Sequence, residues 1–311
     1  MAKILITESV HPIGPELLTA AGHTVVYANR NMEVIRREIV DADAVLVRII
    51  ELPGSLLATA KNLKIVSKHG VGYDNIDLDY CKSHGIAVTI TPNANSLSVA
   101  EHAFTLMLTL AKNIIPVSNE YRTVGFAAKN HAPGIEMTGK TLGLVGMGRI
   151  GKHILHMCRD GLDMHVIVYD PYISEVPEGV EKVDDLSELL RRADVVTLHC
   201  LLTDETRKLI DRERLALMKP TALLINCARG PIVDEAALIE ALENGRLAGA
   251  GLDVTDPEPV APDSPLFKLP NVIVTPHYAP TTVESATRVS KIAAENINAV
   301  LAGQEPVGRI A

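Results

Sequence analysis

Thr141–Lys152, TLGLVGMGRIGK, decides how this chain folds. An apolar run ends in Gly146-x-Gly148-x-x-Gly151 and passes straight into KHILHMC, so a strand, a tight turn and a helix start follow one another. A dinucleotide pyrophosphate requires that order. The first glycine permits the sharp turn and the second leaves room where phosphates come close. The third lets the helix pack on the strand while its N-terminal N–H groups face the anion. Such turns also occur without a ligand, so the flanking sequence has to decide. The next apolar run, His165–Tyr169 (HVIVY), ends in Asp170, nineteen positions after Gly151. An acidic side chain there accepts hydrogen bonds from the adenosine ribose. The same carboxylate repels a 2′-phosphate, and Pro171-Tyr172 supply no cation to receive one, which selects NAD over NADP.

Outward from this stretch, short apolar runs alternate with helical patterns. Before it come residues 3–7, 23–28, 43–48, 63–69 and 86–91; within and after it come Leu142–Val145, Val166–Tyr169, Val195–His199, Ala222–Asn226, Ala250–Val254 and Val272–Thr275. Strand alternating with helix predicts α/β architecture with parallel sheets covered on both faces, here as two doubly wound units. Ser96–Asn113 is too long and continuously apolar for a strand, and reads as a mostly buried helix between them. A polar stretch with Gly125, Pro133 and Gly134 follows it, and a last helix spans roughly Val283–Ala302.

Composition narrows the function classes. A chain of 311 residues suffices for two domains with sizeable cores. A net charge of −8 without a basic stripe, 3% aromatic residues and no Trp argue against nucleic acid as a partner. The apolar runs are too short for a membrane span, and MAKILITESV reads as a strand and not a signal, so a cytoplasmic protein is expected. Cys81, Cys158, Cys200 and Cys227 are spaced too irregularly for zinc ligands or a disulfide framework, and no metal site is expected.

In open α/β sheets ligands bind beyond the carboxyl ends of the strands. There the chain places Arg229 after Ala222–Asn226, Glu258 after Gly251–Val254, and His277 after Val272–Thr275. A guanidinium clamps a carboxylate at two points while polarising an adjacent carbonyl, which orients a 2-oxo acid for hydride attack. An imidazolium delivers the proton the resulting alkoxide needs, and a carboxylate beside it favours the charged form and fixes the ring. Each residue also has an ordinary reading: a turn arginine, a solvated loop carboxylate, a histidine meeting a buried hydrogen bond. His199, at another strand end, is the rival proton donor, but no Asp or Glu is placed to orient it.

Taken together, these segments closely resemble the NAD-dependent D-2-hydroxyacid dehydrogenases. They are Gly146–Gly151 with Tyr169-Asp170-Pro171, Asn226–Gly230, Leu252–Val254 with Glu258-Pro259, and Pro276-His277; His69–Asp77 (HGVGYDNID) and Asn95–Ala103 (NSLSVAEHA) extend the match over nearly the whole chain. The resemblance implies a flavodoxin-like substrate domain, residues 1–97 plus 283–311, and a Rossmann NAD-binding domain, residues 98–282, with the active site in the cleft and a homodimer built through the NAD domains. It makes Arg229 the substrate-orienting arginine, Glu258 the histidine's partner and His277 the acid/base. Cofactor contacts then fall to Gly146, Gly148, Arg149, Ile150, Gly151, Asp170, Cys200, Cys227, Ala228, Asp253 and His277. Substrate contacts fall to Arg48, Lys68, His69, Gly70, Val71, Gly72 and Arg229.

Within the family the chain looks most like the D-3-phosphoglycerate dehydrogenases, in a short form without their regulatory C-terminal domain, Arg48 and Lys68 standing where basic residues face the substrate phosphate. Lys68 replaces an arginine, Leu201 a proline, and Tyr278-Ala279-Pro280 a smaller, glycine-containing run beside the pocket. These departures keep hydroxypyruvate, glyoxylate or another short anionic 2-oxo acid as alternative substrates. An NAD(H)-sensing corepressor-like protein is the alternative from another class, and a formate dehydrogenase is disfavoured because Glu258 stands where that enzyme has glutamine.

Overall fold

Short runs of β-branched and aliphatic residues become strands in this chain wherever helices cover both of their faces. The computed structural model describes all residues 1–311. In chain order the elements are β1 (Lys3–Ile6), α1 (Ile13–Ala20), β2 (Thr24–Tyr27), α2 (Met32–Glu38), β3 (Ala44–Val47), α3 (Gly54–Leu57), β4 (Ile65–Lys68), α4 (Leu78–Ser83) and β5 (Ala87–Thr89). There follow α5 (Ser96–Ala111), α6 (Ile114–Val124), β6 (Thr141–Val145), α7 (Arg149–Leu162), β7 (His165–Tyr169), β8 (Val180–Lys182), α8 (Leu186–Arg192) and β9 (Val195–Leu198). The rest are α9 (Arg212–Leu217), β10 (Leu223–Asn226), α10 (Glu235–Glu243), β11 (Gly249–Leu252), β12 (Val272–Val274) and α11 (Val283–Leu301). Several helices start where the sequence offers a side-chain acceptor. Asn31, Asp77, Asp185, Asp211, Asp234 and Thr282 each accept a backbone N–H of the first turn that they cap.

The chain forms two units, Met1–Asn95 with Pro280–Ala311, and Ser96–Ala279. In the first, five parallel strands run in the order β2-β1-β3-β4-β5. The last helix belongs to this sheet. Ser67 Oγ donates to the Ala293 carbonyl at 3.0 Å, Asn296 Nδ2 to the Ile90 carbonyl at 3.2 Å, and Ser290 Oγ to the His11 carbonyl at 2.7 Å. The second unit holds seven parallel strands in the order β12-β11-β10-β9-β6-β7-β8. Its topological switch lies between β6 and β9, beside the glycine turn that follows β6. Apolar clusters fill both faces, one around Leu189, Leu198 and Leu224 and the other around Leu106, Leu144 and Ile225.

The strand pattern follows the sequence reading apart from β8, a three-residue edge strand that the reading did not contain. A second difference concerns the stretch after α5. Asn113 adopts a left-handed conformation (φ 51°) that ends the long helix, and a new helix, α6, starts at once in the polar stretch to which the sequence reading assigns no element. None of the α6 side chains is buried, and Ile114, Ile115, Tyr121, Val124 and the neighbouring Phe126 stand exposed. No helix is long and apolar enough to cross a membrane.

Helices α1 and α11 touch at Gly14, where an added Cβ would lie 2.4 Å from Ser290 Oγ and 2.7 Å from the Ser290 carbonyl oxygen. The second contact is with backbone, so a methyl group there has to push the helices apart. Gly14→Ala is expected to destabilise the first unit by about 1–3 kcal/mol, the usual cost of overpacking, read as a lower urea midpoint by circular dichroism.

Candidate active site

The turn after β6 is built from glycines for two separate reasons. Gly146 has φ +90°, and a Cβ there would meet the His199 carbonyl and the Cys200 nitrogen at 2.9 Å. A Cβ on Gly151 would come within 2.3 Å of the Gly146 carbonyl oxygen, so only glycine lets α7 pack this close to the turn. At Gly148, by contrast, no heavy atom lies within 4 Å of the position a Cβ would take, and no side chain caps α7. The result is an open cradle walled by helix N–H groups, which suits a pyrophosphate. Beside it, Asp170 Oδ2 accepts the Met147 N–H at 2.9 Å and Oδ1 the Tyr172 N–H at 3.0 Å. Each oxygen keeps a lone pair for a ribose hydroxyl. The donors and the space fit a dinucleotide, with Arg149 and Ile150 opening α7 at its rim.

Cys200 follows β9 and Cys227-Ala228 follow β10, the two strands next to β6 on one side of the sheet. Burial pushes the Cys200 thiol up to about 11 and the Cys227 thiol well above its ordinary range, so both act as neutral, weakly polar surfaces. His199 lies in the same layer. Its Nε2 is 2.8 Å from Thr197 Oγ1, its Nδ1 is buried without a partner, and burial lowers its pKa to about 3. With Nε2 on Thr197 and no carboxylate beside its ring, His199 lacks the partner that would favour an imidazolium, and so it ranks behind His277 as proton donor.

Strands β10, β11 and β12 lie side by side, and each carries one candidate group just past its carboxyl end. Asn226, buried at the end of β10, braces the next loop: its Oδ1 accepts the Ala228 N–H at 3.0 Å and its Nδ2 donates to the Arg229 carbonyl at 2.9 Å. Half-buried Arg229 donates from Nη1 to the Ala228 carbonyl at 2.8 Å. The following Gly230 fits under the Thr255 carbonyl, where a Cβ would be only 1.9 Å from that oxygen. This crossing ties the Arg229 loop to the Asp256–Pro259 loop. Glu235 Oε2 holds that second loop by accepting the Asp256 N–H at 2.9 Å. From it Glu258 reaches His277, with Oε1 2.7 Å from Nδ1.

His277 sits at φ +51°, a conformation rarely used by residues with a side chain. Its N–H donates to the Asp253 carbonyl at 2.8 Å, and the next two N–H groups, of Tyr278 and Ala279, donate to Asp253 Oδ1 and Oδ2 at 2.7 and 2.9 Å. Asp253, which the resemblance assigns to the cofactor carboxamide, is thus a buried organiser of the histidine turn. Neither that use of Asp253, nor Asn226, nor Glu235 was read from the sequence as part of a site. The motif N-C-A-R-G contained the only signal, for Asn226.

The remaining candidates lie in the first unit. Arg48 follows β3, Lys68 ends the neighbouring β4, and His69 and Gly70 come directly after it. Buried Glu8 accepts the N–H groups of Arg48 and Ile49 at 2.7 and 2.8 Å, and buried Lys68 donates to the Arg48 carbonyl and, at 2.6 Å, to Asn75 Oδ1. The Arg48 peptide is therefore gripped from both sides, and its side chain reaches the Ser9 carbonyl at 3.0 Å. The Lys68 ammonium points into the unit. Gly70, at φ +139°, turns the chain, and its carbonyl accepts the Thr91 N–H at 2.9 Å. The turn leads into half-buried Val71 and Gly72, whose N–H groups take no part in the turn's hydrogen bonds.

Residues 104–279 match the family model of the D-isomer specific 2-hydroxyacid dehydrogenase NAD binding domain. This chain belongs to that family. It is 42% identical over 308 residues to a D-3-phosphoglycerate dehydrogenase of Methanocaldococcus jannaschii, covering 98% of this chain and 58% of that protein. It is 38% identical to a glyoxylate reductase of Thermofilum pendens, covering 98% of this chain and 93% of that protein. Among solved structures, the TT0316 protein of Thermus thermophilus superposes with a TM-score of 0.91 at 35% identity, over 99% of this chain and 100% of that one. The NADPH-dependent glyoxylate/hydroxypyruvate reductase of Sinorhizobium meliloti, solved with NADP and malonate, does so with a TM-score of 0.90 at 29% identity, over 100% of this chain and 97% of that one. The chain spans a little over half the length of the D-3-phosphoglycerate dehydrogenases it matches.

The buried histidines make stability fall in acid. Burial lowers the pKa of both His199 and His69 to about 3, with the Arg48 and Lys68 charges adding to the effect at His69. The unfolded chain takes up these protons below about pH 6.5 while the folded chain does not, so the stability that the neutral rings contribute is complete above that pH and declines as pH falls towards 3. His199→Gln is expected to flatten the fall in urea midpoint between about pH 6.5 and 4, the range in which only the unfolded state of the wild type gains that proton.

Proposed function

We propose that this chain is an NAD(H)-dependent oxidoreductase that interconverts a small 2-hydroxy acid and its 2-oxo acid. The observation that carries the reading is the 2.7 Å contact between Glu258 and His277 in the unit that also holds the glycine cradle. When bound, the nicotinamide supplies or takes the hydride. In the reductive direction Arg229 clamps the substrate carboxylate and polarises the adjacent carbonyl. Because Glu258 engages Nδ1 of His277, Nε2 is the atom that gives a proton to the new alkoxide. In the oxidative direction the neutral ring takes that proton back. The resemblance to the family assigns the backbone of Gly70, Val71 and Gly72 to the substrate carboxylate as well.

D-3-phosphoglycerate with 3-phosphohydroxypyruvate is the substrate pair best supported by the relatives, with Arg48 on the phosphate. Two observations favour a second reading, reduction of hydroxypyruvate or glyoxylate. The Lys68 ammonium is committed to Arg48 and Asn75, and a glyoxylate reductase matches over nearly its whole length. The reading includes a homodimer, supported by the exposed apolar side chains of α6 and Phe126 in the second unit. It also includes a cytoplasmic location, supported by four cysteines that are all free.

NADH oxidation by the purified protein against 3-phosphohydroxypyruvate, hydroxypyruvate, glyoxylate and pyruvate tests the reading. Preference for the first compound supports the phosphoglycerate assignment, and preference for the others supports the second reading. Absence of turnover with NADH still bound would overturn both in favour of an NAD(H)-sensing protein. His277→Ala is expected to lower kcat by roughly a hundred- to ten-thousandfold, as loss of a positioned general acid does. Arg229→Ala should weaken turnover and substrate binding while leaving the NADH dissociation constant near that of the wild type. Asp170→Ala should relax the preference for NADH over NADPH in the same assay.

A further inference from the structure

Two periodicities meet where α5 crosses β11. Along the strand, Gly249, Gly251 and, just past its end, Asp253 fall on one face; along the helix, His102, Leu106 and Leu110 form a stripe at spacing four. A Cβ on Gly251 would meet Leu106 Cβ at 3.0 Å and Leu110 Cδ1 at 3.3 Å, and one on Gly249 would meet Leu110 Cδ2 at 3.5 Å. Two strand residues advance about 6.6 Å and four helical residues about 6 Å, so strand and helix keep step. The next step brings His102 to Asp253. Its Nε2 lies 3.0 Å from Thr275 Oγ1 and 3.5 Å from Asp253 Oδ1, and its ring meets that of Tyr278 edge-on at 6.1 Å between centroids.

The hydrogen-bond directions follow from counting protons. Thr275 Oγ1 donates its one proton to Asp253 Oδ1 at 2.6 Å, since a carboxylate only accepts. The contact with His102 therefore has Nε2–H donating to Oγ1. Nothing in the sequence reading gave His102 a role, yet its proton stands at the head of a chain that runs through Thr275 to Asp253. The Asp253 carboxylate in turn receives the two N–H groups that follow His277.

We propose that His102 is a positioning residue for proton transfer at His277. It acts through Thr275 and Asp253 to hold the left-handed turn that aims the His277 ring at Glu258. The proposal rests on the oxidoreductase reading given above.

The test compares wild type with His102→Leu, His102→Gln and Thr275→Val, measuring kcat, KM for the 2-oxo acid, NADH affinity, thermal midpoint and the ring ¹⁵N spectrum of His277. His102→Leu and Thr275→Val are expected to lower kcat by roughly ten- to a hundredfold, the cost of a small misplacement of a reacting group, with KM and NADH affinity nearly unchanged. His102→Gln restores an N–H donor and should recover most of the rate. The His277 ring signals should shift in the first two variants and return in the glutamine variant. Rates near wild type in both disruptive variants, or a glutamine variant no better than leucine, would overturn the proposal. Should the leucine variant fail to fold, the nearly isosteric Thr275→Val carries the comparison. If the wild type itself turns over no 2-oxo acid, the oxidoreductase reading fails, and the ring spectrum still decides the positioning role: unshifted His277 signals refute it.

Discussion

The second unit depends on one buried carboxylate more than on any other side chain. Asp253 accepts the Thr275 hydroxyl and the N–H groups of Tyr278 and Ala279, while its own carbonyl accepts the N–H of His277. Burying a carboxylate is costly unless its oxygens are filled with donors, and here the donors come from the turn that the acid/base candidate occupies. The desolvation cost and the strained histidine backbone are thereby offset in the same few bonds. In effect the charge is spent on geometry: a histidine that must reach one glutamate cannot sit on a turn free to breathe.

The rest of the site is assembled by close backbone approach. Gly146 under the His199 carbonyl, Gly151 against Gly146 and Gly230 under Thr255 each mark a place where any side chain would force two segments apart. These contacts hold the pyrophosphate cradle to its helix, and the arginine loop to the glutamate loop, without long side chains. In the first unit the same task falls to polar groups. Glu8 and Lys68, of opposite charge, grip the two ends of the Arg48 peptide instead of pairing with each other.

Much of this was legible in the sequence because it is local. A strand-turn-helix with three glycines, an acid at the end of the next strand, and charged groups at strand ends are patterns of adjacent residues. The edge strand β8 was not legible, since Val180–Lys182 pairs on one side only and has no apolar alternation to show. Helix α6 was missed for a different reason. None of its residues is buried, so its apolar side chains make no stripe against a core. The role of Asp253 and the position of His102 lay deeper still, because they arise from two spacings in register across about 150 residues of chain, and neither spacing means anything alone.

Gly230 has an evolutionary consequence as well. With the Thr255 carbonyl directly over its Cα, the Arg229 loop and the Glu258 loop move as one piece. An insertion or a bulkier residue in either would disturb both the guanidinium and the carboxylate at once, so natural variation has little freedom to adjust them separately.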